Sequence, residues 1–226
     1  MLGQNVKRII GNAALAVLLS AGVGSAQSYK VQSSATPAPQ DLTGPVRDAL
    51  SANAVQVTGA SGPLCEIWPA KTLQPAATPD TSLGVNFGQI AQGTLVGAVK
   101  FDAAGGDYRG QPIKPGVYTL RYMLQPVDGN HQGVSPYRDY LLAVPAAADP
   151  DAGNLTPDNL VKLSKKASGT GHPSVWSLVP ADNAPATLPA VAHQDDGDLW
   201  ILYFQAPLPT PAKMGLVVVG RAPEQE

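Results

Sequence analysis

The segment 128–140, DGNHQGVSPYRDY, concentrates polar side chains between two apolar runs. Four of its side chains are of types that bind small ligands through charge and hydrogen bonds, namely Asp128, Asn130, His131 and Arg138. Asp-Gly-Asn is also turn chemistry, because Asp and Asn bond their own backbone and Gly accepts a positive φ. We therefore expect first a loop locked by Arg138, bonded to Asp128 or to loop carbonyls, and second a recognition loop.

The three histidines of the chain each fall in a predicted connection between strands: His131, His172 and His193. Three imidazoles, or two imidazoles and a carboxylate, can hold zinc or copper where loops converge. The chain has no H-x-H or H-E-x-x-H spacing that would place two ligands on one element. The sequence thus leaves a divalent metal ion at these histidines as a hypothesis, and it predicts no other cofactor.

Catalytic motifs are not found in the sequence. There is no G-x-S-x-G, and the Ser, His and Asp residues show no order that singles out a triad. Glu66 is the only acid inside a strong apolar run, whereas a glycosidase needs two carboxylates. The single cysteine, Cys65, lies in PLCEIWPA and is expected to be a buried, inert thiol. These observations favour a protein that is not an enzyme.

The N-terminal residues 1–26 have the pattern of a secretory signal peptide. Lys7 and Arg8 precede the apolar run IIGNAALAVLLSAG, and Gly24 and Ala26 are small residues suited to cleavage. We expect no transmembrane segment after cleavage and a periplasmic or secreted protein. With 15 Lys and Arg against 17 Asp and Glu, the chain does not predict a nucleic-acid partner. An envelope protein or a small ligand is the expected partner.

Residues 53–226 are predicted to form a single domain of short strands. Apolar runs of strand length recur between Pro, Gly, Asp and Asn: AVQVTG, PLCEIWPA, SLGVNFGQI, TLVGAVKFD, GVYTLRYMLQ, YRDYLLAVP, PSVWSLVP, LWILYFQAP and MGLVVVG. One amphipathic helix interrupts them in NLTPDNLVKLSKKASG, with Pro157 at its start and Gly169 at its end. The polar residues 27–52 are predicted to be a flexible leader with one short helical turn.

The stretch IKPGVYTLRY resembles the tyrosine corner of Greek-key sandwiches. In that motif a tyrosine hydroxyl bonds to the backbone a few residues upstream. Here Tyr118 would make the bond, Pro115 and Gly116 would form the corner, and Trp68 would be a core tryptophan. We therefore predict an all-β fold, an antiparallel Greek-key β-sandwich that is immunoglobulin-like or related, with one short accessory helix.

The longer stretch PGVYTLRYMLQPVDGNHQGVSPYRDYLL and the order of the runs resemble uncharacterised exported bacterial β-sandwich proteins. The resemblance implies a similar fold and supplies no catalytic residue, because sandwiches support many functions. We expect an exported, non-enzymatic β-sandwich protein with a loop-borne binding or structural role in the cell envelope. A metal- or carbohydrate-binding module using the His131 loop, and a hydrolase of unknown substrate, are the alternatives.

Overall fold

A computed structural model describes residues 28–131 and 135–222. Within these ranges, ten strands form one sheet in the order β1-β2-β3-β4-β7-β8-β9-β12-β11-β10, and all its neighbours pair antiparallel. The strands are β1 (Lys30–Ser34), β2 (Ala54–Gly59), β3 (Gly62–Pro69), β4 (Leu95–Phe101), β7 (Gly116–Leu124), β8 (Asp139–Pro145), β9 (Val175–Val179), β10 (Ala190–Gln194), β11 (Leu199–Ala206) and β12 (Ala212–Val219). A separate pair consists of β5 (Gly105–Gly106) and β6 (Pro112–Ile113). The predicted all-β, antiparallel character is confirmed.

The sheet curls, so that its two edge strands, β1 and β10, come into contact. The ring of Tyr29, beside β1, meets the ring of Trp200 edge-on at a centroid distance of 5.0 Å. Side chains of alternate residues on each strand, such as Leu141 and Leu202, fill the inside of the curl. The neighbouring residues on the same strands are also apolar and pack on the outer face, which explains the continuous apolar runs of β8 and β11.

In the described part of the chain, two α-helices cover the outer face, and a short 3-10 helix (Ala146–Ala148) follows β8. The first is α1 (Gly44–Ala49), which buries Val46 beside Leu50 and Trp68. The second is α2 (Pro157–Ser168), which packs on β8 through Leu160. As predicted, Pro157 opens α2, and Gly169 closes it in the left-handed conformation at φ 65°. Within the described residues no helix combines the length and the apolar character needed to cross a bilayer.

The segment 27–52 is not a flexible leader in the part that the structure describes. Residues 30–34 pair along their whole length with β2. Leu42 and Leu50 are each 1 % exposed. Strand β1 is a largely exposed edge strand, so its composition is as polar as that of an unpaired segment. The predicted signal peptide lies outside the described residues.

The run SLGVNFGQI (82–90) is not a strand, contrary to prediction. It forms a loop in which Phe87 and Ile90 are buried, while Leu83 is 96 % exposed. A buried carboxylate, Asp139, fixes this loop: its oxygens accept hydrogen bonds from the backbone N–H of Asn86 at 2.7 Å and of Phe87 at 3.0 Å. The apolar residues therefore point inward because the loop is anchored, without strand pairing.

The corner at 113–118 has the hydrogen bond that defines the motif. The Tyr118 hydroxyl donates to the carbonyl of Lys114 at 2.9 Å, and Ile113 is buried at 1 % exposure. Between them, Pro115 is followed by Gly116 at φ 149°, a conformation that favours glycine. Trp68 is fully buried, and its indole N–H donates to a backbone carbonyl at 2.9 Å. Both aromatic side chains thus bury an apolar ring and satisfy a polar atom.

A buried ion pair joins β7 to the segment after β8. The Arg121 guanidinium donates to both carboxylate oxygens of Asp149, at 2.6 Å from Nε and 2.9 Å from Nη2. Its remaining N–H groups reach the carbonyls of Gly93, Asp151 and Gly153. All five donors are therefore used, which is what a fully buried arginine requires.

Candidate ligand-binding cavity

The tip of the segment 128–140 is a self-bonded turn. Asp128 Oδ1 accepts hydrogen bonds from the Asn130 backbone N–H at 3.0 Å and lies 2.7 Å from Nδ1 of His131. The bond to His131 is the main cause of a lowered pKa of the Asp128 carboxyl group. Asp128 and Asn130 are exposed, whereas His131 is partly buried. The turn thus orients the His131 ring.

Arg138 fixes the base of this segment by hydrogen bonds to a backbone carbonyl. Its Nε and Nη2 donate to the carbonyl of Gln125 at 3.1 and 3.0 Å, and Nη1 donates to the Ser82 hydroxyl at 2.7 Å. The Gln125 side chain in turn donates to the His131 carbonyl at 3.2 Å. Of the two bonding partners predicted for Arg138, the structure shows a carbonyl and not Asp128. Arg138 therefore acts on the loop and lies outside the cavity described next.

A cavity of about 260 Å³ lies on the outer face of the sheet, beneath α2 and beside the turn. The ends of β7 and β8 form its floor, and α2 forms one wall. The lining is mainly apolar: Tyr108, Arg109, Met123, Leu124, Gln125, Pro126, His131, Tyr140, Leu142, Val161, Lys165, Gly171, His172, Pro173, Val175 and Ala222. An apolar cavity with few polar groups is typical of a small-molecule site.

The histidines His131 and His172 line this cavity together, with ring centroids 6.4 Å apart. His172 Nδ1 lies 2.9 Å from the carbonyl of Pro173, which can only accept a hydrogen bond, so Nδ1 carries the proton. His131 Nδ1 faces the Asp128 carboxylate in the same way. In the neutral rings, each Nε2 is then the atom with a free lone pair.

Burial is the largest cause of the lowered pKa of His172, and the nearby charge of Arg109 adds to it. An isolated imidazole becomes protonated once the pH falls below its ordinary pKa. Because the pKa of His172 is lowered, its ring stays neutral down to a lower pH. At neutral pH it therefore presents an uncharged ring to the cavity. Nε2 of that ring can accept a hydrogen bond or bind a metal ion.

His193 does not join the other two histidines. It lies at the end of β10, with Nε2 2.7 Å from Asp198 and its ring 4.8 Å from the ring of Trp200. No group of three or more His, Cys, Asp or Glu side chains suited to a metal ion occurs in residues 28–131 and 135–222. The hypothesis of a site formed by all three histidines is therefore corrected to a pair. His193 lies in the edge strand β10 and not in a connection, whereas His131 and His172 lie beside the central strands β8 and β9.

Two tyrosines supply the aromatic part of the cavity. The rings of Tyr108 and Tyr140 are 6.3 Å apart and tilted relative to each other. Burial raises the pKa of Tyr140 to about 12 and raises that of Tyr108 in the same direction. Both hydroxyls therefore keep their protons at neutral pH, and they are hydrogen-bond donors rather than bases.

Arg109 and Lys165 bring positive charge to the cavity, and sequence reasoning missed both. Lys165 lies in the last turn of α2, where a cation is favourable to the helix dipole, so its type and position alone suggest no binding role. Arg109 lies in a loop fixed by Asp107, whose carboxylate accepts from the backbone N–H of Arg109 at 2.9 Å and of Val175 at 3.0 Å. Nothing in the spacing relates residue 109 to residue 165, so only the fold could bring them together.

Burial also explains the state of Cys65. It lies inside the curl, where desolvation is the main cause that raises the pKa of its thiol to about 12. The thiol is therefore protonated at neutral pH, and it lines neither the cavity nor the histidine pair.

Comparison of the chain with protein-family models, with curated proteins and with solved structures gave no match. The function is therefore argued from the geometry of the cavity.

Proposed function

We propose that this chain is an exported, non-enzymatic all-β protein that binds a small ligand in the cavity beneath α2. The observation that carries the proposal is the cavity itself: about 260 Å³ of mainly apolar space, with two imidazoles and two cations among the residues that line it. Its position beside the locked turn agrees with a recognition role for the His131 loop. Export to the periplasm or the medium is proposed from the N-terminal sequence pattern alone.

The Greek-key part of the predicted architecture has support from the strand order. β10, β11 and β12 follow one another through short connections, whereas the longer connection from β9 crosses to the far edge of the sheet. As a result β9 pairs with β12, which is the arrangement of a Greek key. We propose that the fold is a relative of the Greek-key sandwiches in which the strands remain in one curled sheet.

The cavity is tested by filling it. Val161 lines the cavity from α2, whereas Leu163, on the same helix, does not line it. We expect a small neutral apolar probe, 1-hexanol, to bind the processed protein with saturable heat in titration calorimetry. Val161→Trp should abolish that binding because the indole occupies the cavity, and Leu163→Trp should retain it. Absence of saturable binding to the unsubstituted protein would overturn the proposal.

A hydrolase is less well supported by the composition of the cavity. Among the residues described as lining it there is no Ser, Thr or Cys side chain to act as nucleophile, and no Asp or Glu carboxylate to assist the two histidines. A carbohydrate would need several polar partners in place of the mainly apolar walls. The composition of the lining therefore favours binding of an apolar group over hydrolysis and over carbohydrate binding.

A metal ion at the histidine pair is the second candidate function. Histidines that bind metals commonly donate the other ring N–H to a carboxylate or a carbonyl, and here His131 and His172 face Asp128 and the Pro173 carbonyl in that way. We expect titration with Cu²⁺ or Zn²⁺ to show one site that is lost in His131→Ala and in His172→Ala. His193→Ala is the matched control and should retain it. Equal binding by all three variants would exclude the pair.

A further inference from the structure

The cavity is lined by positive charges although the chain as a whole is slightly acidic. The whole chain has an excess of acids, with a formal net charge of −2. The cavity, however, is lined by Arg109 and Lys165, and none of its described lining residues is an Asp or a Glu. Arg109 and Lys165 are exposed, so their charged groups lie at the mouth, while Leu142 and Val175 are buried deeper. The cavity therefore has a charged mouth and an apolar interior.

We propose that the ligand is a small amphiphile with one anionic headgroup, whose apolar body enters the cavity while the headgroup lies between Arg109 and Lys165. This inference rests on the function proposed above and names its ligand class. An apolar body gains free energy by leaving water for the walls formed by β8, β9 and α2. The headgroup keeps partial hydration at the mouth, where an exposed cation contributes modestly to affinity.

The inference is tested with two probes that share one apolar body, hexane-1-sulfonate and 1-hexanol, in titration calorimetry with the processed protein. The sulfonate is fully ionised at neutral pH, whereas the alcohol carries no charge. We expect the sulfonate to bind about tenfold more tightly than the alcohol at low ionic strength. Lys165→Gln and Arg109→Gln should each weaken the sulfonate about threefold and leave the alcohol unchanged. Lys166→Gln, the adjacent exposed cation outside the cavity, is the control and should change neither probe.

If neither probe binds, the proposed function itself fails. If the alcohol binds as tightly as the sulfonate, the cavity function stands and the anionic ligand class is overturned. If Lys166→Gln weakens the sulfonate as much as Lys165→Gln, attraction by the surface at large replaces the proposed headgroup site.

Discussion

The Tyr118 hydroxyl is an example of a single polar atom that fixes a change of chain direction. It donates to the Lys114 carbonyl at 2.9 Å across the turn at Pro115 and Gly116, at the start of the central strand β7. The aromatic ring is buried and lies 6.2 Å from the ring of Phe101. One residue therefore connects the turn, the strand and the inner core.

Replacing Tyr118 with Phe removes the hydroxyl and keeps the ring. We expect the free energy of unfolding to fall by about 1 kcal/mol, because the Lys114 carbonyl loses its buried donor. Urea denaturation followed by circular dichroism measures the change. Tyr137→Phe is the matched control, since its hydroxyl makes no hydrogen bond among the described residues. An equal loss in both variants would show that the Tyr118 bond has no special role.

At the scale of residues, the sequence predicted side chains whose role is local. Tyr118 and the Asp128 turn belong to short motifs whose partners lie within a few positions of them. Asp139 and Arg121 were not predicted, because their partners lie far away in sequence and only packing brings them together. For the same reason, the sequence did not predict that Arg109 and Lys165 line one cavity. Sequence patterns therefore predict contacts between residues that are close in sequence more readily than contacts between residues that are far apart.

At the scale of elements, Arg121 connects β7 with the segment that follows β8. Its bidentate bond to Asp149 is completely buried, so neither charge has access to water. The same guanidinium also holds the carbonyls of Gly93 and Gly153. Two separate segments, the residues around Gly93 and residues 149–153, are thus fixed against the outer face of the sheet, next to the connection that leads into α2.

Arg121→Met leaves the Asp149 carboxylate buried without its partner. We expect a loss of about 3–5 kcal/mol in the free energy of unfolding, measured by urea denaturation. The double variant Arg121→Met with Asp149→Leu removes the uncompensated charge and should recover part of the loss. Lys100→Met, which breaks an exposed ion pair with Asp102, is the control and should change stability by less than about 1 kcal/mol. A loss no larger than that of the control would contradict the role of the pair.

Most strands were predictable because apolar residues at strand length are the direct signal of a buried sheet. The sequence also predicted α2, whose Pro157 start and Gly169 end are local signals. It failed for β1 and β10, which are edge strands with largely exposed or partly buried residues. It also failed for 82–90, where the apolar residues are buried by a loop anchored on Asp139.

At the scale of the whole molecule, one curled sheet creates the cavity. The inside of the curl is filled with side chains, so an open space for a ligand arises on the outer face, where α2 and two loops do not cover the sheet completely. The loop ends that carry Arg109 and His172 meet there because β9 lies beside β8. No individual element contains this site, and this is why the sequence indicated the His131 loop but not the cavity next to it.

The most direct test of this account is an amide NMR titration of the ¹⁵N-labelled, processed protein with hexane-1-sulfonate. We predict saturable amide shifts concentrated at the cavity, in residues 108–109, 123–125, 140–142, 161–165, 171–172 and 174–175. Amides of the distant β10–β11 hairpin, including that of His193, should not move. Shifts that do not saturate, or that are spread evenly over the sheet, would contradict a ligand site beneath α2.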